Sequence, residues 1–197
     1  ERAFCRWSLG FLQRRKDEIA GDFLRQLTAS EHDGSVARIG DRAFLLVRPL
    51  AWDPAYFGCP TYRIEFADWT PDAGQPVAAL AEAVTSFRDG QLQRRQPFYL
   101  FGEVPSEDLV LLQALGSAGL RLIETRLTYC REDLQGFDWP QRFPTREATI
   151  ADVENLREVA ALSRNRYDRF HADPFFPPVV ADGFLATFAA SSVNGFA

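Results

Sequence analysis

Thr61-Tyr62-Arg63-Ile64-Glu65-Phe66 sets Tyr62, Ile64 and Phe66 against Arg63 and Glu65, a two-residue period that predicts a strand with one buried face. Upstream, RAFLLVRPL from Arg42 is short, apolar and closed by a proline, which predicts a second strand. Downstream, Asp72-Ala73-Gly74-Gln75-Pro76 interrupts the pattern and opens a helix with Pro76 in its first turn, where a missing N–H costs nothing. Leu80, Val84 and Phe87 make the buried face of that helix, and Asp89-Gly90 is expected to stop it. PFYLFGEV from Pro97 predicts the next strand. Ser106 reads as an N-cap with Glu107 and Asp108 in the first turn, Leu109, Leu112 and Leu115 inside, and Gly116 and Gly119 at the end. LIETRLTYC from Leu122 alternates Ile123, Thr125, Leu127 and Tyr129 and predicts a further strand. Strand, helix, strand, helix, strand over residues 61–130 implies a small α/β layer with a mixed sheet.

Further out, residues 11–29 place Ile19, Phe23 and Leu27 four apart with the charges mostly on other faces, the pattern of an amphipathic helix. A turn at Glu31-His32-Asp33-Gly34 follows. Toward the C-terminus, EDLQGFDWPQRFP (residues 132–144) holds Gly136, Pro140 and Pro144 and shows no period. The organisation read from this is an N-terminal α/β domain over residues 1–131, a linker over 132–144 and a second domain over 145–197. Trp139 and Phe143 are expected to clamp the linker against a surface. TREATI (residues 145–150) predicts a strand, and Thr149 with Asp152 three residues on predicts a helix start, an Asp variant of the capping box. Val153, Leu156, Val159 or Ala160, and Ser163 share one face of that helix. Val180, Phe184 and Phe188 define another, ended by Asn194-Gly195.

The chain of 197 residues is 46% hydrophobic and 13% aromatic, enough for a packed core. A net charge of -5 gives no basic field of the kind nucleic-acid binding needs, and Arg14-Arg15-Lys16 and Arg94-Arg95 read as solvated surface. Cys5, Cys59 and Cys130 are odd in number and lack C-x-x-C spacing, and the two histidines, His32 and His171, lie far apart. Neither a disulfide framework nor a zinc site is expected. No apolar run approaches the roughly 18–20 residues of a membrane span, and no signal-peptide layout opens the chain, so a cytoplasmic protein without membrane partners is expected. The absence of methionine, and the end at Asn194-Gly195-Phe196-Ala197 directly after a helical pattern, read as a fragment of a longer chain.

Three pieces carry a family resemblance: LAWDPAYFG at residues 50–58, LLQALGSAGLRLIETRLTY at 111–129, and SRNRYDRFHADPFFP from Ser163 running on to FAASSVNG. With the Thr-x-x-Asp helix start they resemble the GNAT superfamily of acyl-CoA-dependent N-acetyltransferases, in particular the dTDP-fucosamine acetyltransferase type, in which a smaller α/β domain precedes the acetyltransferase domain. The resemblance implies a fold in which residues 145–197 are the first strand and helices of a GNAT-like domain. It implies transfer of an acetyl group from acetyl-CoA to the amine of a nucleotide-linked amino sugar, with a homodimer as an allowed assembly. Such transfer needs a neutral amine, an N–H donor for the thioester oxyanion and a proton source for the leaving thiolate. The family's [QR]-x-x-G-x-[GA] phosphate turn does not occur here, so acetyl-CoA is expected to serve the complete protein and not to bind this chain, and no catalytic residue is assigned.

Candidate acceptor-binding residues cluster in SRNRYDRFHADPFFPP, residues 163–178. Arg164, Arg166 and Arg169 read either as ligands for a sugar-nucleotide diphosphate or as a solvated helix end paired with Asp168 and Asp173. His171 reads as a base for the amine or as a loop histidine bonded to a backbone carbonyl. Asp173, before Pro174, caps the turn or positions the sugar amine. Tyr167, Phe170, Phe175 and Phe176 offer stacking faces or core anchors. Trp52, Tyr56 and Phe57 cover the acceptor pocket or pack in the first domain's core, with Gly58 supplying a backbone angle other residues resist. A nucleophilic role for the cysteines has no flanking base or helix start to support it.

Overall fold

The computed structural model describes residues 16–127, 135–136, 140, 142–163 and 165–195, and the chain falls into two compact units, Glu1–Leu122 and Ile123–Ala197. In the first unit the order is α1 (Lys16–His32), β1 (Ala37–Ile39), β2 (Ala43–Pro49), α2 (Asp53–Phe57), β3 (Thr61–Trp69), α3 (Pro76–Leu92), β4 (Tyr99–Gly102) and α4 (Leu109–Ser117). The strands form one mixed sheet in chain order, antiparallel from β1 to β3 and parallel between β3 and β4. A parallel pair cannot be joined by a tight turn, and α3 is the crossover. The α/β class read from the sequence is thereby met.

Both faces of the sheet are covered. Ala43, Leu45, Val47, Ile64 and Ala67 pack with Leu80, Ala83, Val84 and Phe87 of α3 and with Leu111, Ala114 and Leu115 of α4. On the opposite face Leu46 meets Leu27 of α1 and Val36, edged by Phe23, Phe44 and Phe66.

A bulge in β3 divides these two sets. Leu46 pairs with Phe66 but Val47 pairs with Ile64, so Glu65 is the extra residue. Tyr62 and Ile64 keep to the α3 face, and beyond the bulge it is Ala67 and Trp69 that do so, while Phe66 joins the α1 side. The strict alternation expected over Thr61 to Phe66 therefore fails at its last step. Glu65, expected on the wet face, is 3% exposed. Its Oε1 accepts from Arg48 Nε at 3.0 Å, Arg63 Nε at 2.9 Å and Arg63 Nη2 at 2.6 Å. Arg48 also donates from Nη2 to Ser30 Oγ at 3.1 Å, which ties the sheet to α1.

Other expectations are corrected. The helix begun at Pro76 runs through Gly90 to Leu92, because one glycine costs a helix only about 1 kcal/mol and Phe87 and Gln91 are buried on either side of it. Gln91 Oε1 accepts from the Tyr62 hydroxyl at 3.0 Å, which fixes that last turn. Asp108, not Ser106, caps α4: its carboxylate accepts from Leu111 N at 3.1 Å. The inner face of α4 is accordingly Leu111, Ala114 and Leu115, continued by Ala118, an i, i+3, i+4, i+7 stripe, and Leu109 is 61% exposed. Residues 121–127 and 144–149 form no strand. Alternation alone does not make a strand; a hydrogen-bonded neighbour does. The Ile19 side chain, Thr128 to Cys130, Trp139, Cys5 and Arg164 lie outside the described residues. Phe143, expected to clamp the linker, is 76% exposed.

The second unit is helical among its described residues. A 3-10 turn, Ile150–Asp152, leads into α5 (Val153–Leu162), followed by the short α6 (Arg169–Ala172) and by α7 (Pro178–Val193). Val153, Leu156 and Ala160 are half-buried on α5 and Val159 is exposed, so the stripe passes through Ala160. Small residues, Ala181, Ala186 and Ala190, are the buried positions of α7, set around the helix and not along one side, and α7 packs against α5. It ends at Asn194, followed by Gly195 at φ +86°, as expected. Among the described residues no helix is long and apolar enough to cross a membrane.

Candidate functional site

The approach to residues 163–178 is built by the start of α5. Asp152 Oδ2 accepts from Thr149 N at 2.8 Å and from Thr149 Oγ1 at 2.9 Å, and the reciprocal contact completes the expected capping box. Arg146 grips the same carboxylate with both terminal nitrogens at 2.7 Å. The Arg146 hydrogen bonds first, then those from Thr149, hold the Asp152 carboxyl well below the usual carboxylate range.

After α5 the chain turns on short polar side chains. Asn165 Oδ1 accepts from Tyr167 N at 3.1 Å, and Asp168 Oδ1 accepts from both Phe170 N and His171 N at 2.9 Å, so Asp168 caps α6. Asp173, 7% exposed, accepts from Phe175 N at 2.9 Å, the turn-capping role expected of it. Phe170 sits between Phe184 of α7, 4.0 Å away between ring centroids, and Phe176 at 5.3 Å. The loop is thereby fastened to α7 by aromatic packing, and buried Phe176 is a core anchor.

His171 is not bonded to a backbone carbonyl through its ring. Nδ1 lies 2.9 Å from both oxygens of Asp168, and Nε2 lies 3.2 Å from Oδ1 of Asp182 on α7. Arg169, on the same short helix, places its guanidinium over the Phe170 ring at 4.5 Å, and its backbone N–H donates to Glu124 Oε2 at 3.2 Å. The structure thus brings His171, Asp168 and Asp182 together, and leaves Tyr167 75% exposed on the outside of the turn. Asp182 was not singled out from sequence. Its signal is that it is the one charged residue of α7, PVVADGFLATFAASSV.

In the first unit Trp52 and Tyr56 stack at 5.6 Å and 5° between planes, and Phe57 meets Tyr56 edge-on at 4.9 Å. All three are half-buried on and beside α2, and Gly58 ends that helix at φ +71°. A Cβ at Gly58 would meet nothing within 4 Å, so the left-handed angle and not space calls for glycine. A cleft opens where β4 ends at Gly102 while β3 runs on past the bulge, lined by Ile64, Phe66, Ala67, Gly102, Val104 and Leu111 among others. None of the candidate residues lines it.

Pyrophosphate needs a run of free backbone N–H groups and no competing negative charge. Helices α3 and α7 start on prolines, which remove an N–H from the first turn; the Asp108 carboxylate takes up the Leu111 amide of α4, and Asp152, just before α5, turns its carboxylate back to Thr149. Among the described residues no group of three or more His, Cys, Asp or Glu side chains is arranged to hold a metal ion. Cys59 is buried, and burial pushes its thiol up, away from the thiolate a nucleophile requires. Set beside family models, curated proteins and solved structures, the chain matches none of them.

Proposed function

We propose that the chain carries acceptor-recognition elements of an acetyl-CoA-dependent N-acetyltransferase of the GNAT type, acting on the amine of a nucleotide-linked amino sugar. The observation that carries this reading is the turn over residues 163–178. It follows a capping-box helix, is fixed by Asp168, His171 and Asp173, and presents Tyr167 outward. Tyr167 supplies a stacking face for a base or sugar ring, and Arg166, exposed beside it, supplies a guanidinium for phosphate oxygens. Acetyl-CoA is the proposed donor, and no step of the transfer is assigned to residues of this chain.

Calorimetric titration with a nucleotide-linked amino sugar tests the reading. Binding is expected, weakened about tenfold by Tyr167→Ala, the loss of one ring contact worth ~1.4 kcal/mol. No heat, or heat unchanged by Tyr167→Ala, would count against it. One observation favours a second reading, a binding module without catalysis: both ring nitrogens of His171 face carboxylates, which leaves no ring lone pair turned toward an amine. Mass spectrometry of the sugar after incubation with acetyl-CoA and the complete protein, which the first reading requires to supply the phosphate turn, separates the two, since an acetylated product requires the enzyme.

A further inference from the structure

His171 spans two elements of the second unit. Its side chain is 9% exposed, and the carboxylates on either side, Asp168 and Asp182, are 20% and 22% exposed. Ionised carboxylate oxygens only accept hydrogen bonds, so each contact calls for an N–H on the ring. A neutral imidazole carries one N–H and an imidazolium carries two.

We infer that Asp168, His171 and Asp182 form a proton-operated latch between α6 and α7, closed while both ring nitrogens carry hydrogen and released on the α7 side when one proton leaves. The asymmetry follows from the distances. Nδ1 has both Asp168 oxygens at 2.9 Å, and that carboxylate is itself held by the N–H groups of Phe170 and His171. The neutral ring therefore keeps its hydrogen on Nδ1, and the Nε2 lone pair then faces Asp182 Oδ1, where attraction becomes repulsion. Other charges bear on the balance. Arg169 of α6 opposes a positive ring, and Glu124, which accepts from the Arg169 N–H, favours it. The proton is exchanged with solvent, and no other bond is made or broken. The latch is thus complete while the ring keeps both protons and is lost as rising pH removes one. It depends on no assumption about the acceptor.

Amide hydrogen exchange of the full chain over a pH series, corrected for the intrinsic pH dependence of exchange, tests it. Protection of the α6 amides is expected to fall about tenfold as pH rises, the loss of one charge-assisted hydrogen bond. In Asp182→Asn the new side-chain N–H can donate to a neutral Nε2, so the profile is expected to flatten. A flat profile in the unsubstituted chain, or a variant that keeps the full slope, would overturn the inference. A long-range proton–nitrogen spectrum of the His171 ring reads the same point without a variant. Hydrogen on both ring nitrogens in the protected state is expected, and a single N–H there would sink it.

Discussion

Glu65 puts a carboxylate with 3% exposure between two guanidinium groups, each still about a third exposed. The three hydrogen bonds on its Oε1 offset the cost of taking that charge out of water, and Arg48 passes the link on to Ser30 of α1. Glu65→Ala would leave Arg48 and Arg63 facing each other across a void. Removing one partner of a buried pair typically costs 3–5 kcal/mol, and the solvent access of both arginines places this case at the lower end, about 3 kcal/mol. Urea unfolding measures it. The further change Arg63→Ala should recover part of the loss, because it removes the repulsion as well as a partner.

At the scale of elements, the start of α5 rests on a side-chain cap. Thr149→Ala removes one half of the capping box and is expected to lower stability by about 1 kcal/mol, seen in thermal unfolding. The Asp152 half gives the same helix an acid limit. Its carboxyl is held low in the folded chain by Arg146 and then by Thr149, so its stabilisation is complete above the unfolded value of about 4 and is lost as pH falls through the folded one. Asp152→Asn should therefore lower the melting temperature at neutral pH and make it less sensitive to acid. An acid profile identical to that of the unsubstituted chain would remove Asp152 from the account. Helix starts of this kind were legible because Thr149, Asp152 and Pro76 act within one turn of their own positions. The cap of α4 lies two residues past the expected Ser106: Ser106 and Asp108 are both competent acceptors, and only the packed turn puts Asp108 Oδ1 against the Leu111 amide.

For the molecule as a whole, the two units differ in what they bury. Leu45, Leu80 and Val84 are fully inaccessible in the first, whereas the buried apolar side chains described in the second are Phe176, Ala181, Ala186 and Ala190. Apolar area removed from water is the main stabilising term, so amides of β2 and β3 are expected to exchange more slowly than those of α7. Faster exchange in β2 than in α7 would contradict this. Leu80→Ala opens a cavity between α3 and the sheet and is expected to cost about 3 kcal/mol, read as a lower urea midpoint at unchanged slope.

By itself the sequence determined the α/β class, the opening of α3 at Pro76, the Thr149–Asp152 capping box, the Asp173 turn cap and the end of α7 at Asn194-Gly195. The class follows from the order of strands and helices along the chain, and each of the others depends on residues within a few positions of one another, where backbone angles and short side chains act. Tertiary structure alone decided the bulge at Glu65, since an extra residue exists only relative to a paired strand. It decided that residues 121–127 form no strand despite their alternation, because a ladder requires a neighbour. It also brought His171 to Asp182, eleven positions along the chain, because two helices packed by Phe170 and Phe184 close a distance that no local pattern records.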